Sequence, residues 1–270
     1  MNAYCSIADI KNALAITATT DDVILRKTAE AAARIIDRFC GRYFFVKSET
    51  RYFDGAGCRL WIDDLLSVTT LKTDEDGDAT FENTYATTDY NLYPLNKYPK
   101  YHIDISEASD YGGFGAGSKS VEIVGLWGYG DGISSTPYLI DTTLSAAITT
   151  TSSVTCTVTA VTNLSAGQTI LIGTEQMFIE SIATTTLTVI RGVNGTTAAT
   201  HLISSNLYIY QYPYDVWMCA MNLSSAIYQN RNKAGIQSER LGDYSYSLDK
   251  SQTNTICNEY LTDYKIKRVS

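Results

Sequence analysis

The sequence predicts an α+β fold: a helical bundle of two N-terminal and two C-terminal helices with a β region, plus an inserted small all-β sandwich or barrel module. Three observations favour this class. Apolar residues repeat at helical spacing near both chain ends. β-branched residues alternate with polar ones in the middle of the chain. Tyrosine occurs 20 times in 270 residues but not between Leu139 and Leu207, and this shift indicates an inserted unit.

The first two helices have clear start and stop signals. Ser6 followed by Asp9 predicts an N-cap for a helix that continues to about Ala15. An acidic pair at 21–22 opens a second helix, and Gly41 ends it as a left-handed cap. The apolar stripe of this helix consists of Leu25, Ala29, Ala32, Ile36 and Phe39.

The rest of the chain outside the insert changes from strands back to helices. Between Tyr43 and Trp127 the pattern is the alternation typical of strands. After the insert, apolar residues spaced four, three and four apart predict a third helix from about Tyr214 to Ala234. A fourth helix is expected near residues 254–264, followed by a basic tail.

The insert has its own composition. Residues 141–207 contain 18 threonines and 7 serines but only four charged residues. Their apolar side chains alternate between Gly-rich turns, which predicts about five short strands. The chain therefore divides into a core, residues 1–140 and 208–270, and an inserted all-β module, residues 141–207. We expect the module to fold independently, to point away from the surfaces that join copies of the chain, and to tolerate deletion.

Charge and residue counts weigh against several classes of function. Twenty-one basic and 29 acidic residues give a net charge of −8, which argues against binding nucleic acid through a basic face. Two histidines, and six cysteines without a CxxC pair, offer few ligands, so neither a metal nor a cofactor is expected. The sequence has no run of 18 apolar residues and no signal-peptide pattern at its start, so no membrane partner is expected.

The motifs that suggest chemistry fail on spacing. The Gly-rich loop at 112–120 lacks the lysine that a phosphate loop requires directly after its last glycine. Asp74, Asp76 and Asp78 alternate as calcium ligands do, but the twelfth position of such a loop, where a glutamate should stand, is Tyr85. No nucleophile elbow occurs. The protein is therefore predicted not to be an enzyme.

Both histidines are interpreted as structural. His102 lies in an alternating strand, where a half-buried imidazole is ordinary. His201 follows a Gly-rich turn, where it is expected to make a backbone hydrogen bond.

Four segments of the chain resemble the head–tail connector (adaptor) proteins of tailed bacteriophages. These segments are Tyr4–Lys11, Asp37–Phe44, Ala226–Arg231 and Ser238–Ser245. Their order is similar to that of the family and covers both ends of the chain. The resemblance implies a structural virion protein of the neck, assembled in the bacterial host cytoplasm. Such proteins form a ring, typically a dodecamer, that joins the portal to the next ring and lets DNA pass.

The same resemblance implies the partners and the attachment segment. The partners would be the portal protein, neighbouring copies of the chain, and a stopper or tail-completion protein. The C-terminal segment would dock on the portal, and the alternative is that its helix packs on its own subunit. The portal-docking candidates are Ile256, Leu261, Tyr264, Lys265, Lys267 and Arg268.

An acidic region bears on the passage of DNA. Residues 60–131 hold 13 acidic and 4 basic side chains, a net charge of −9. A solvated acidic surface is one interpretation. The other is a surface that repels polyanions or docks on a basic partner, and in a ring it would be a channel wall that DNA passes without specific binding. The channel-facing candidates are Asp74, Glu75, Asp76 and Asp78.

A virion-associated glycan-binding protein or hydrolase that uses the β module is the alternative function. The module contains neither Trp nor Tyr to stack on a sugar, and Phe178 is its one aromatic residue. This composition counts against the alternative.

Overall fold

Two antiparallel β-sheets make up most of the protein. The computed structural model describes residues 2–231, 238–241, 244–247 and 252–266. In these ranges, twelve strands form two six-stranded sheets, two more form a hairpin, and four α-helices lie towards the chain ends. The predicted fold class is therefore wrong, because the protein is β-rich rather than a helical bundle with a small inserted module.

The helices pack around one apolar cluster. They are α1 (Ile7–Leu14), α2 (Asp22–Cys40), α3 (Tyr214–Asn230) and α4 (Gln252–Leu261), with a 3-10 turn at Thr262–Tyr264. The cluster includes the fully buried side chains of Ile10, Leu25, Ile36, Leu223 and Leu261. None of the helices in the described ranges is long and apolar enough to span a membrane.

The predicted ends of the first two helices are confirmed. The Ser6 hydroxyl accepts the N–H of Asp9 at 3.1 Å, and the Asp9 carboxylate accepts the N–H of Ser6 at 2.7 Å, which is a complete capping box. Gly41 ends α2 at a φ of 72°, the left-handed conformation that glycine adopts without a Cβ clash.

The first sheet is built around one long strand. Its strands are β1 (Lys47–Gly55), β2 (Arg59–Thr73), β3 (Asn83–Thr84), β4 (Tyr90–Tyr93), β5 (Lys100–Ile105) and β6 (Gly117–Trp127). The order is β1-β6-β2-β5-β4, and β3 also pairs with β2. In a regular strand, residues five apart face opposite sides, yet Leu60 and Leu65 are buried in the same cluster. A register shift between Trp61 and Leu65 against β5 accounts for this.

The second sheet closes on itself as a small barrel. Its strands are β7 (Tyr138–Thr143), β8 (Thr155–Thr157), β9 (Thr169–Ile172), β10 (Glu175–Ala183), β11 (Thr186–Ile190) and β12 (Asn206–Tyr210). The order is β7-β12-β9-β10-β11-β8, and a bridge between Leu144 and Val158 brings the two end strands together. The barrel thus begins at Tyr138 and ends at Tyr210, and the division at 141–207 stays a prediction. The hairpin pairs β13 (Ser238–Leu241) with β14 (Tyr244–Ser247).

The wrong fold class has a physical reason. An amphipathic stripe shows that a helix buries one face, but it does not show how much of the molecule that helix covers. Here the four helices share one apolar cluster, whereas the twelve strands of the two large sheets build three further clusters. The sheets are therefore the larger part of the structure.

Buried polar groups join the barrel to the core. The Gln176 side chain donates to the carbonyl of Val46 at 3.0 Å and accepts from Asn194 at 2.7 Å. Thr169 donates to the Asn2 side chain at 2.8 Å. A small apolar cluster shared by both sheets consists of Val46, Leu66, Leu171 and Tyr210. Removing the module would leave these buried groups of the core without partners, and its tolerance of deletion stays a prediction.

Tyr4 links the N-terminal segment to the end of α2. Its hydroxyl donates to the Asp37 carboxylate and accepts the N–H of Phe44 at 3.0 Å. Its ring packs edge-on against Phe44 and Tyr212, at centroid distances of 5.6 and 4.9 Å. Burial raises the pKa of Tyr4 well above its ordinary value, so the hydroxyl remains a donor.

We expect Gln176→Leu to lower the free energy of unfolding by about 1–3 kcal/mol, because the buried Val46 carbonyl would lose this donor and the half-buried Asn194 amide would lose one of its two acceptors. Urea unfolding measures the loss. Gln211→Leu is the matched control, since this half-buried side chain makes no hydrogen bond in the described structure. Equal losses in both variants would contradict the assignment.

Candidate functional site

An aromatic groove lies beside the irregular part of β2. Its cavity volume is about 760 Å³. Trp61 and Tyr101 line it with 64% and 46% of their surface exposed, and their rings are 6.1 Å apart with an interplanar angle of 4°. A register shift between Trp61 and Leu65 changes the direction of the side chains on β2, so Trp61 is exposed while Leu65 is fully buried. Such bulges often lie beside functional sites. We name this feature the Trp61 groove; its other lining residues include Arg42, Asp63, Asp64 and Ile266.

A buried lysine fixes one wall of the Trp61 groove. The Lys100 ammonium donates to the carbonyls of Pro94 at 2.6 Å and Leu95 at 2.9 Å, and it lies 4.3 Å from the centre of the Tyr98 ring. Burial lowers the pKa of Lys100. The ammonium therefore holds the 94–99 loop in place and is not itself presented to a ligand.

The groove contains one buried acid and one exposed acid. Asp64 Oδ2 lies 3.4 Å from Arg42 Nε, and the Arg42 guanidinium lies 5.1 Å from the centre of the Tyr129 ring. Burial raises the pKa of Asp64 to about 6; Arg42 opposes this rise and Asp63 adds to it. The side chain of Asp63 is 64% exposed and pairs with Arg51 at 2.8 Å. The groove thus offers flat aromatic surface and an accessible carboxylate.

A buried ionic cluster lies in the barrel. Glu175 has no exposed surface, and its two oxygens accept from Arg191 Nε at 2.6 Å and Nη2 at 2.7 Å. His201 Nε2 lies 2.8 Å from the same carboxylate, which also accepts the N–H groups of Gly192 and Ala199. Every oxygen of this carboxylate is therefore satisfied within the barrel.

The arrangement of this cluster indicates a structural role. Arg191 also donates to the carbonyls of Thr150, Ser153 and Ala199, so one guanidinium holds several loops together. Burial pushes the pKa of Glu175 upward, but hydrogen bonds from Arg191, the Ala199 N–H and His201 hold it below its ordinary value. A carboxylate that stays ionised and enclosed has no route to a substrate.

Both histidines are buried. The main-chain N–H of His201 donates to the Ile148 carbonyl at 2.9 Å, but its ring contacts the Glu175 carboxylate rather than the backbone group that the sequence analysis expects. The His102 ring stacks on Tyr93 at 4.9 Å with an interplanar angle of 1°, and burial lowers its pKa.

The predicted channel-facing acids lie between β2 and β3. Asp74 is buried, and its oxygens accept the N–H groups of Gly77 at 2.8 Å and Ala79 at 2.9 Å, so this side chain shapes the turn. Glu75 is exposed beside it. Among the described residues, those whose oxygens lie within 4.8 Å of one another and could share a cation are Asp74, Asp76, Asp78 and Glu82. That these acids face a channel stays a prediction.

Three of the predicted portal-docking residues pack on their own subunit. Leu261 has no exposed surface and belongs to the helical cluster. Ile256 and Tyr264 are partly buried against the same cluster, and the Tyr264 hydroxyl donates to Asp215 at 3.3 Å. These contacts stabilise the chain that carries them.

The remaining docking candidates are basic. Lys265 is exposed, and its ammonium lies 3.8 Å from the centre of the Phe39 ring. Lys267 and Arg268 lie outside the described residues. Attachment to the portal through this end of the chain stays a prediction.

The sequence contained signals for two features that its analysis missed. In β2, Trp61 follows the buried Leu60, so alternation places a large aromatic ring on the outer face of a strand. In the module, Arg191 is the one basic residue among four charged ones. If its side chain is buried, it has to pair with one of the three acids. The depth of the groove, however, comes from the 94–99 loop and from Ile266, which are distant in the chain.

No family model matches the chain, and no curated protein matches its sequence.

We expect Glu175→Gln to destabilise the protein by about 3–5 kcal/mol, because Arg191 would remain buried and charged without a counter-ion. The pKa of Glu175 is lowered, so its stabilising effect is present above the pKa of the unfolded state and is lost as the pH falls through the folded pKa. Urea unfolding between pH 3 and pH 7 should show this slope in the wild type and a flatter one in the variant. Glu180→Gln, which breaks the partly exposed pair with Arg26, is the control and should cost under about 1 kcal/mol.

We expect Asp64→Asn to have the opposite dependence on pH. The pKa of Asp64 is raised from 3.8 to about 6, so its contribution to stability is fully present below the unfolded pKa and is lost as the pH rises through about 6. The stability of the variant relative to the wild type should therefore increase by about 2–3 kcal/mol between pH 4 and pH 7.5. Asp63→Asn is the neighbouring surface control. If the stabilities of the wild type and of Asp64→Asn change in parallel with pH, burial does not raise the pKa of Asp64.

Proposed function

We propose that the protein is a structural subunit of the neck of a tailed bacteriophage. Its copies form a ring, a dodecamer in this proposal, that joins the portal to a stopper or tail-completion protein. DNA passes through the ring without specific binding. The subunit has no catalytic role in this proposal, and its work is to hold partners on several sides.

The observation that carries this proposal is the distribution of exposed apolar side chains. Large apolar residues on a protein surface mark interaction sites when they cluster. Here they occur on the helices, the first sheet and the barrel, so one partner could not cover them all. Those with more than two fifths of their surface exposed include Val23, Ile24, Trp61, Leu95, Tyr101, Leu139, Ile140, Leu202 and Ile203.

Three of the four segments that resemble the adaptor family contribute residues to the same helical cluster. Tyr4, from the first segment, binds Asp37 and Phe44 of the second. Tyr228, from the third, donates to Asp21 at the start of α2. The resemblance therefore rests on residues that build the helical layer, as is expected when the shared property is a scaffold.

The alternative, a glycan-binding protein or hydrolase that uses the barrel, has less support. The titratable groups at the centre of the barrel, Glu175, Arg191 and His201, are buried and paired with one another. A hydrolase needs such groups to reach the reacting atoms.

We expect the purified protein, or the particle that contains it, to yield a ring whose mass is a multiple of 29.7 kDa near twelve copies. Native mass spectrometry over a range of protein concentrations measures this, and electron microscopy of virions should show the ring next to the portal. A chain that remains a monomer and hydrolyses glycans would overturn the proposal in favour of the alternative.

A further inference from the structure

We propose that the protein binds a neutral oligosaccharide in a pocket between the barrel and the helices. This inference goes beyond the proposed function and does not depend on it. The pocket has a volume of about 430 Å³, and small-molecule sites occupy about 300–1,000 Å³. We call it the seam pocket. Its lining comes from residues 3–9, from the barrel loop 162–169, and from residues 209–217, where β12 leads into α3.

The N-terminal segment supplies main-chain groups that lack a partner in the protein. Ala3, Tyr4 and Cys5 are no more than 4% exposed. In the described structure, none of their N–H or C=O groups makes a hydrogen bond. Buried main-chain groups are almost always paired with protein, water or a ligand. Because all three residues line the seam pocket, its occupant is the partner available to these three donors and three acceptors.

Side chains of the lining add an amide and aromatic surface. Gln211 is half-buried, and its side chain makes no hydrogen bond in the described structure. Tyr214, at the start of α3, is 87% exposed, and Trp217 lies about one turn later. Each hydroxyl of a saccharide both donates and accepts, and the C–H groups of its ring pack on aromatic faces. A saccharide therefore matches both the polar and the aromatic groups of this lining.

The charge of the lining restricts the class of ligand. Asp9 is the one charged residue that lines the seam pocket. Its Oδ2 already accepts the Ser6 N–H at 2.7 Å, the Ser6 hydroxyl at 2.8 Å and the Trp217 indole N–H at 3.1 Å. The lining contains neither lysine nor arginine. A phosphate, a nucleic acid or an acidic saccharide would be enclosed here without a counter-ion, so a neutral ligand is favoured.

The path of the N-terminal segment disfavours a peptide as the ligand. A peptide that adds to a sheet pairs with an open strand edge, but the chain bends at Tyr4 and Cys5. The nearby strand β12 has no open edge either, because β7 and β9 pair with its two sides. Saccharide hydroxyls need no such row of groups, since each one donates and accepts at the same atom.

The lining is suited to binding and not to hydrolysis. Glycosidases use two carboxyl groups that flank the scissile bond, whereas this pocket contains only the carboxylate of Asp9. The aromatic residues that the inserted module lacks come from the chain that follows it, since Tyr210, Tyr214 and Trp217 lie outside residues 141–207. The seam pocket is therefore distinct from the buried ionic cluster of the barrel.

Titration of the full chain with trisaccharides tests the inference. The neutral probes are chitotriose, cellotriose and maltotriose, and trigalacturonic acid is the anionic comparator. At least one neutral probe should bind at millimolar concentration in isothermal titration calorimetry, and the anionic probe should not. Hydrogen–deuterium exchange, followed by mass spectrometry, should slow in the peptide that contains residues 3–5 when the neutral probe is bound.

Two variants locate the site. Tyr214→Ala removes the most exposed aromatic ring of the lining, and Gln211→Leu removes its free amide; each should weaken binding at least tenfold. Neither side chain makes a hydrogen bond in the described structure, so both variants should fold, and circular dichroism checks this. Trp61→Ala is the matched control, because this ring is 64% exposed but lies outside the seam pocket, and it should bind as the wild type does.

The outcomes separate this inference from the proposed function. If no neutral probe binds, or if a bound probe leaves exchange at residues 3–5 unchanged, the inference is overturned, whether or not the chain forms a ring. Loss of binding in Trp61→Ala but not in Tyr214→Ala would also overturn it. A chain that stays a monomer and binds a neutral probe in the seam pocket would support the inference while the proposed function fails.

Discussion

The buried position of the N-terminal segment is the constraint on which the three parts of the structure depend. Asn2 hydrogen-bonds Thr169 and Asn194 of the barrel. Two residues later, the Tyr4 hydroxyl hydrogen-bonds Asp37, near the end of α2, and Phe44, which lies shortly before β1 of the first sheet. Because each contact fixes a different part of the molecule, displacing this short segment would leave polar groups of the barrel and the helices buried without partners, and each such group costs about 1–3 kcal/mol.

Local structure was predictable where the signal is local. The capping box at Ser6 and the left-handed Gly41 depend on neighbouring residues, and both are found as expected. The fold class was not predictable in the same way. Whether six short strands remain an open sheet or close into a barrel depends on a pairing such as Leu144 with Val158, which no neighbouring residue specifies. The Trp61 groove could not be predicted for the same reason, because Ile266, which lines it, is more than 200 residues from Trp61 in the chain.

The buried acids of this protein have opposite effects on stability because their partners differ in geometry. Glu175 meets a guanidinium through two short hydrogen bonds, and its ionised form is favoured despite complete burial. Asp64 meets one nitrogen of Arg42 at 3.4 Å, and burial prevails. Asp37, with Arg34 and the Tyr4 hydroxyl beside it, also has its pKa raised by burial to about 6. The ionised barrel cluster therefore stabilises the chain towards neutral pH, while the two aspartates do so towards acidic pH.

The described part of the chain is built on several apolar clusters rather than on one shared core. Apolar residues form separate clusters in the helices, the barrel and the first sheet, and a cluster of only four buried residues connects the two sheets. This apolar contact supplies the burial energy of the junction, and the hydrogen bonds of Gln176 and Asn2 add directional contacts to it. Directional bonds fix an angle between the sheets, whereas apolar contact alone tolerates sliding. In the proposed ring, copies close at a fixed number only if this internal angle is fixed, so the polar junction is the part of the chain on which such an assembly would depend.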